Sequence, residues 1–201
     1  MAMFRVGWIV GLLAIATFAH PSSVLAQDLE RGLPPCSDEA VSAAKAGAQN
    51  EEPAALYRLA RYYSSGKCVP GNGPEAIRLY QRAAALGYAP AYYNLGIVAA
   101  GGAQDFTEAE ADFLKGAGLG HRGCELMLGI LYATTPPVLD NIKAYAWLSL
   151  SLSRTPPADT GLANKLLGDV DKKLSAEERQ KADDYLGQLK AQYGPTPAFR
   201  P

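Results

Sequence analysis

One motif is written three times along this chain. It reads Ala55-Leu56-Tyr57-Arg58-Leu59-Ala60-Arg61-Tyr62-Tyr63, then Ala91-Tyr92-Tyr93-Asn94-Leu95-Gly96, then Cys124-Glu125-Leu126-Met127-Leu128-Gly129-Ile130-Leu131-Tyr132. In each copy a small residue stands four before a leucine, and Ala or Gly follows that leucine. Leu59, Leu95 and Leu128 are 36 and 33 residues apart. A period of this length marks helix pairs stacked in a row, each burying its apolar side only against its neighbours. The pattern predicts an all-α chain, an α-solenoid of antiparallel helix pairs with about three repeats and a capping helix or helices at each end. Such a scaffold offers a surface for holding a partner.

The second helix of each pair is announced by its first residues. Asn72, Asp105 and Asp140 stand where an N-cap is needed, and a short polar side chain there accepts a bond from an otherwise orphaned amide. Glu75 and Glu108, three residues on, suit the acidic position of a capping box. Copy one then carries Ala76, Tyr80, Ala83, Ala84 and Gly87, and copy two places Ala109, Phe113, Gly116, Ala117 and Gly120 at the same offsets. Small residues at matched positions let helices approach, and the aromatic fills the space between neighbours.

These residues resemble the Sel1-like repeat family, whose unit runs as A-x-x-x-L-G-x-x-Y-x-x-G-x-G-V, then D-x-x-K-A, an aromatic, and A-A-x-x-G. Copy one matches best, with Ala55, Leu59, Tyr63, Gly66, Val69, Asn72, Ala76, Ala83, Ala84 and Gly87. Copy two lacks the loop Val and has Ala99 in place of Tyr. Copy three has Thr134-Thr135-Pro136-Pro137 in place of the loop glycines, and its Ala144-Tyr145-Ala146-Trp147-Leu148 run looks like a last repeat. The resemblance covers residues 53–153. It implies that the first helix of each pair lines a concave face, which makes Tyr57, Arg58, Arg61, Tyr93 and Asn94 the candidate partner-binding residues. Tyr and Arg often dominate binding energy, and Arg58 and Arg61, three apart, share a helix face suited to a carboxylate. The alternative is that these tyrosines pack between repeats and the arginines are only solvated.

The ends read differently. Arg5, an apolar stretch over residues 6–19, and Val24-Leu25-Ala26 form a signal-peptide pattern with cleavage after Ala26. The apolar run is short for a spanning helix, which needs about 20 residues. The expected mature chain is therefore periplasmic or secreted, without a membrane segment. Loss of Arg5 takes the 19 basic side chains to 18 against 20 acidic ones, a net charge of about −2. No basic patch suits nucleic acid. Residues 27–36 read as a Pro-stiffened linker and 37–52 as an N-terminal capping helix. Residues 154–194 read as C-terminal caps with helices at 161–174 and 176–193, the latter opened by the capping box Ser175-Ala176-Glu177-Glu178. Residues 195–201 read as a disordered tail.

Three cysteines follow the expected cleavage site. Cys124 takes the place of Ala55 and Ala91 and reads as a buried thiol. Cys36 and Cys68 flank the first helices, and an oxidising compartment permits a disulfide between them, worth roughly 3 kcal/mol through the unfolded chain. His121 follows Gly120 in a turn, at the place of Tyr88, with no spacing that suggests a catalytic or metal role. The chain has no G-x-S-x-G, Walker or H-E-x-x-H pattern. The expectation is a non-catalytic adaptor without cofactor, holding another envelope or secreted protein. The alternatives are a peptidoglycan-binding module, for which exposed tyrosines would stack on glycan, or a β-lactamase-like hydrolase of the cysteine-rich Sel1-like type. That type pairs cysteines in every repeat, whereas here copy two has none and copy three has only Cys124.

Overall fold

The computed structural model describes residues 36–154 and 160–194. The expected leader, most of the 27–36 linker, the Pro-rich break at 155–159 and the tail at 195–201 lie outside them. Every regular element described is helical: α1 (Asp38–Gln49), α2 (Pro53–Ser65), α3 (Gly73–Ala85), α4 (Ala89–Val98), α5 (Phe106–Gly118), α6 (Arg122–Thr134), α7 (Asn141–Arg154), α8 (Gly161–Asp171) and α9 (Ala176–Tyr193). The pairs α2–α3, α4–α5 and α6–α7 are the three repeats. Each packs on the next, α1 rests on α2, and α8 and α9 close the far end against α7. None of these helices is long and apolar enough to cross a membrane.

The expected caps are in place. Asn72, Asp105 and Asp140 accept from the amides of Glu75, Glu108 and Lys143 at 3.0–3.2 Å. Ser175 and Glu178 form the reciprocal capping box. Glu75 departs from expectation: its carboxylate takes two bonds from Arg78, at 2.6 and 2.9 Å, because a guanidinium one turn on is a stronger donor than a cap amide. α8 also ends early, at Asp171, where Lys173 and Leu174 bond back in a tightened last turn. Copy two departs most. α4 passes into a π-helical turn at Ala99–Ala103 that stops at Gln104 in the left-handed region, φ 53°. This turn stands where the repeat motif has lost its Tyr and its loop Val.

The core lies along the seams. One cluster gathers Leu56, Leu59, Tyr62, Leu79 and Tyr80, and the other Phe113, Leu128, Tyr132, Trp147 and Leu150. At the α5–α6 seam a Cβ on Gly116 would lie 2.4 Å from Cys124 Sγ and 3.2 Å from Tyr92 Cβ. One junction earlier the same two register positions hold Ala83 and Ala91, both fully buried. The chain has thus exchanged an Ala–Ala pair for a Gly–Cys pair of similar total volume. Gly116→Ala should cost about 1–3 kcal/mol by overpacking, despite a helix-propensity gain of about 1 kcal/mol. Adding Cys124→Ala should recover most of the loss. Urea denaturation of the four members of this cycle measures the coupling, and simple additivity would show that the seam is not close-packed.

α1 follows the same register. Glu51 adopts φ 56° at the position of Gly87 (φ 79°) and Gly120 (φ 82°). A Cβ on Gly47 would lie 2.5 Å from Ala55 Cβ, eight residues on, as Gly116 relates to Cys124. The N-terminal cap is therefore built as the second helix of a repeat, and Ala44 stands where α3 and α5 carry Tyr80 and Phe113. Its outer side chains Ser42, Lys45 and Gln49 are exposed, as befits the end of a stack. Cys36, just before α1, is joined to Cys68 in the α2–α3 loop, with Cα atoms 5.2 Å apart.

Candidate partner-binding face

Register places Tyr57, Tyr93 and Leu126 at one position of the three first helices, α2, α4 and α6. Tyr57 packs between Tyr80 and Tyr88, with ring centroids 5.7 and 5.1 Å apart. Tyr93 repeats the arrangement against Phe113 at 6.3 Å and His121 at 5.3 Å. Each tyrosine therefore joins its own second helix to the following turn, and both remain half-buried. Asn94, 5% exposed, donates from Nδ2 to Tyr57 Oη and to the Pro90 carbonyl, both at 3.1 Å. Arg61, 7% exposed, lays its guanidinium 5.9 Å from the Tyr57 ring centre.

Of the five candidate residues, Tyr57, Arg61 and Asn94 thus form one packed group, and Tyr93 sits in the next. Arg58 alone is exposed. The two arginines do not present themselves together, because Arg61 turns to the aromatic ring while Arg58 faces water. The face continues onto α6 through Leu126 and Ile130, which are half-exposed one turn apart. These two were missed in the sequence. Their signal was the register itself, since they occupy the positions of Tyr57 and Arg61 in copy three.

A second polar group sits at the junction of repeats two and three. His121 lines a cleft of about 310 Å³ with Pro90, Leu119 and Arg122. Its Nδ1 lies 3.4 Å from Cys124 Sγ, a pairing across one turn that the sequence reading did not anticipate. Burial, and then Arg122, hold the imidazole pKa down to about 4, while burial, Glu125 and Asp112 push the thiol up. Both groups are therefore neutral at pH 7, the opposite of a thiolate–imidazolium nucleophile. His121 serves as packing, in the place of Tyr88.

This histidine makes stability pH-dependent. The unfolded imidazole, with a pKa of about 6.5, binds its proton before the folded one. Its contribution is complete above about pH 6.5 and is lost as pH falls toward 4, up to about 3 kcal/mol. Asp112 and Glu125, raised by burial, titrate with the opposite sign. The difference between the parent and His121→Tyr, which copies the preceding turn, isolates the histidine. Between pH 4 and 7 the urea midpoint of the parent should fall relative to that of the variant as pH is lowered, and a constant difference would contradict the assignment.

Residues 53–88 and 122–154 match the family model of the Sel1 repeat. These stretches are α2 with α3 and α6 with α7, the two pairs that keep the tyrosine ending the first helix, Tyr63 and Tyr132. Two of the three helix pairs are Sel1 repeats. The crystal structure of a Sel1 repeat protein from Oxalobacter formigenes is similar to it at 25% sequence identity, with a TM-score of 0.58, covering 75% of this chain and 64% of that one. This chain thus spans less than two thirds of that protein's length. A protective antigen of uropathogenic Escherichia coli displaying an SLR fold is 22% identical, with a TM-score of 0.45, over 86% of this chain and 45% of its own. No curated protein matches the sequence. The α4–α5 pair, outside the matched stretches, keeps the Sel1 arrangement and differs at its π-helical turn. The Sel1-like fold is that of a helical-repeat scaffold for protein interaction.

Proposed function

We propose that this chain is an exported, non-catalytic scaffold of the bacterial envelope that holds another protein along its first helices. The observation that carries the reading is the row of Tyr57, Tyr93 and Leu126 at one register position of three successive helices, with Arg58 exposed at one end and Ile130 at the other. A rigid row of this kind suits an extended or helical segment with an acidic group near α2 and apolar groups over α6. The leader pattern at residues 1–26 supports export. The packing of Tyr57 and Tyr93 between helices speaks against a glycan-stacking platform, and the neutral Cys124–His121 pair speaks against nucleophilic hydrolysis.

The test is capture from envelope extract on the immobilised, oxidised chain beside Arg58→Glu and Leu126→Lys. A protein retained by the parent and lost from both variants supports the face. Equal retention by all three moves the site elsewhere, and no retained protein removes the scaffold reading. Export is tested separately by fractionation and N-terminal sequencing, with a mature chain starting at Gln27 expected.

A further inference from the structure

The N-terminal end of the stack is held by unusual means. α1 buries only Ala44, Gly47 and Ala48, with Val41 half-buried, and it carries no leucine or aromatic side chain. The second helices at the same register, α3 and α5, insert Leu79 with Tyr80, and Phe113. Two alanine methyls and a glycine remove little apolar area from water, against the entropy of ordering twelve residues. A helix of that length is marginal on its own. The polar hold is also slight: Arg82 reaches the Ala48 carbonyl at 3.3 Å and pairs with Glu51, which is largely exposed. The remaining attachment is covalent. The Cys36–Cys68 bond ties the start of α1 to the loop after α2, and Cys36 is exposed while Cys68 is half-buried.

We infer that the Cys36–Cys68 disulfide is a reducible latch, and that its opening releases α1 from α2 while the three repeats stay folded. The reductant is a dithiol. One of its thiolates attacks the exposed Cys36 sulfur, the S–S bond breaks and Cys68 leaves as a thiol. The second thiol of the reductant then displaces Cys36. Two electrons and two protons pass to the chain, and the reductant ends as a disulfide. Release uncovers Ala55 and the α2 surface on which Gly47 sits, leaving the stack open in the register that a second helix of a repeat occupies. The repeats lose only Ala44, Ala48 and the flanking Val41 from their core, which rests mainly on Leu56, Leu79, Tyr80 and the residues beyond.

Hydrogen exchange followed by mass spectrometry tests this on three samples: the oxidised chain, the same chain in excess dithiothreitol, and Cys36→Ser/Cys68→Ser. Residues 38–49 should exchange roughly tenfold faster or more in the last two samples, with α2 to α7 unchanged. Two results would overturn the inference. One is unchanged protection of α1 after reduction, which would mean that its packing suffices. The other is loss of protection across all repeats, which would make the bond a support of the whole fold.

Discussion

Replacing Arg154 by alanine is expected to lower stability by about 3–5 kcal/mol. Glu125 is fully buried, and Arg154 Nη1 meets its Oε1 at 2.6 Å with 17% of the arginine side chain exposed. The other guanidinium nitrogen donates to the carbonyls of Tyr193 and Gly194 at 2.8 and 2.7 Å, and the Arg154 carbonyl accepts from Arg122. One side chain thus ties α6, α7 and the end of α9 together. Without it, a carboxylate is left buried with its counter-charge gone, and its Oε2 already has no partner among the described residues. At roughly 2–4 °C per kcal/mol for a chain of this size, Tm should fall by roughly 10 °C. The deficit should shrink at acid pH. Burial already raises the Glu125 pKa, and loss of the cation raises it further, so the variant takes up a proton that removes the unpaired charge. Glu125→Leu/Arg154→Met should cost less than either truncation to alanine, since copy one holds Leu56 at the position of Glu125. A loss below about 1 kcal/mol in Arg154→Ala would show that water reaches the carboxylate.

Trp147→Ala should cost a similar amount, about 3–5 kcal/mol. Trp147 is the largest fully buried side chain, and its ring lies 5.3 Å from that of Tyr193. Copies one and two place Leu79 and Asp112 at this position, where the next element is another repeat. In copy three the next elements are the closing helices, and the larger ring fills the space under α9. Tyr193 therefore meets α7 twice, by its ring on Trp147 and by its carbonyl on Arg154. Once one contact is lost α9 loosens and the other is worth less, so Trp147→Ala/Arg154→Ala should lose less than the sum of the singles. Urea denaturation of the cycle measures this. Exact additivity would mean that the two anchors act separately.

The placement of the helices follows from features a single stretch of sequence carries. Leucine spacing, the caps Asn72, Asp105, Asp140 and Ser175, and the turn glycines Gly87 and Gly120 all act within one or two turns of chain. They determine local structure wherever that stretch lies. The α1 cap was legible as a helix but not as a repeat's second helix, because its aromatic is replaced by Ala44 and its turn glycine by Glu51. The π-helical turn at Ala99–Ala103 left only a lost Tyr as its trace.

The candidate face was legible as a set of positions and not as a set of available side chains. Arg58 and Arg61 are equivalent by type and spacing, yet one is solvated and the other lies against Tyr57, held in turn by Asn94 from the next repeat, 37 residues away. Glu125 and Arg154 meet across 29 residues, and Cys124 fits beside Gly116 because two helices cross there. Repeat period and capping chemistry are local, so the chain itself sets the helices, their pairing and the order of the stack. Burial, ion pairing and proton affinity depend on what neighbouring repeats bring within a few ångströms. Those distances come into being only when the helices pack, and it is the packing that leaves Arg58, Leu126 and Ile130 within reach of solvent and withdraws Arg61, Asn94 and Glu125 from it.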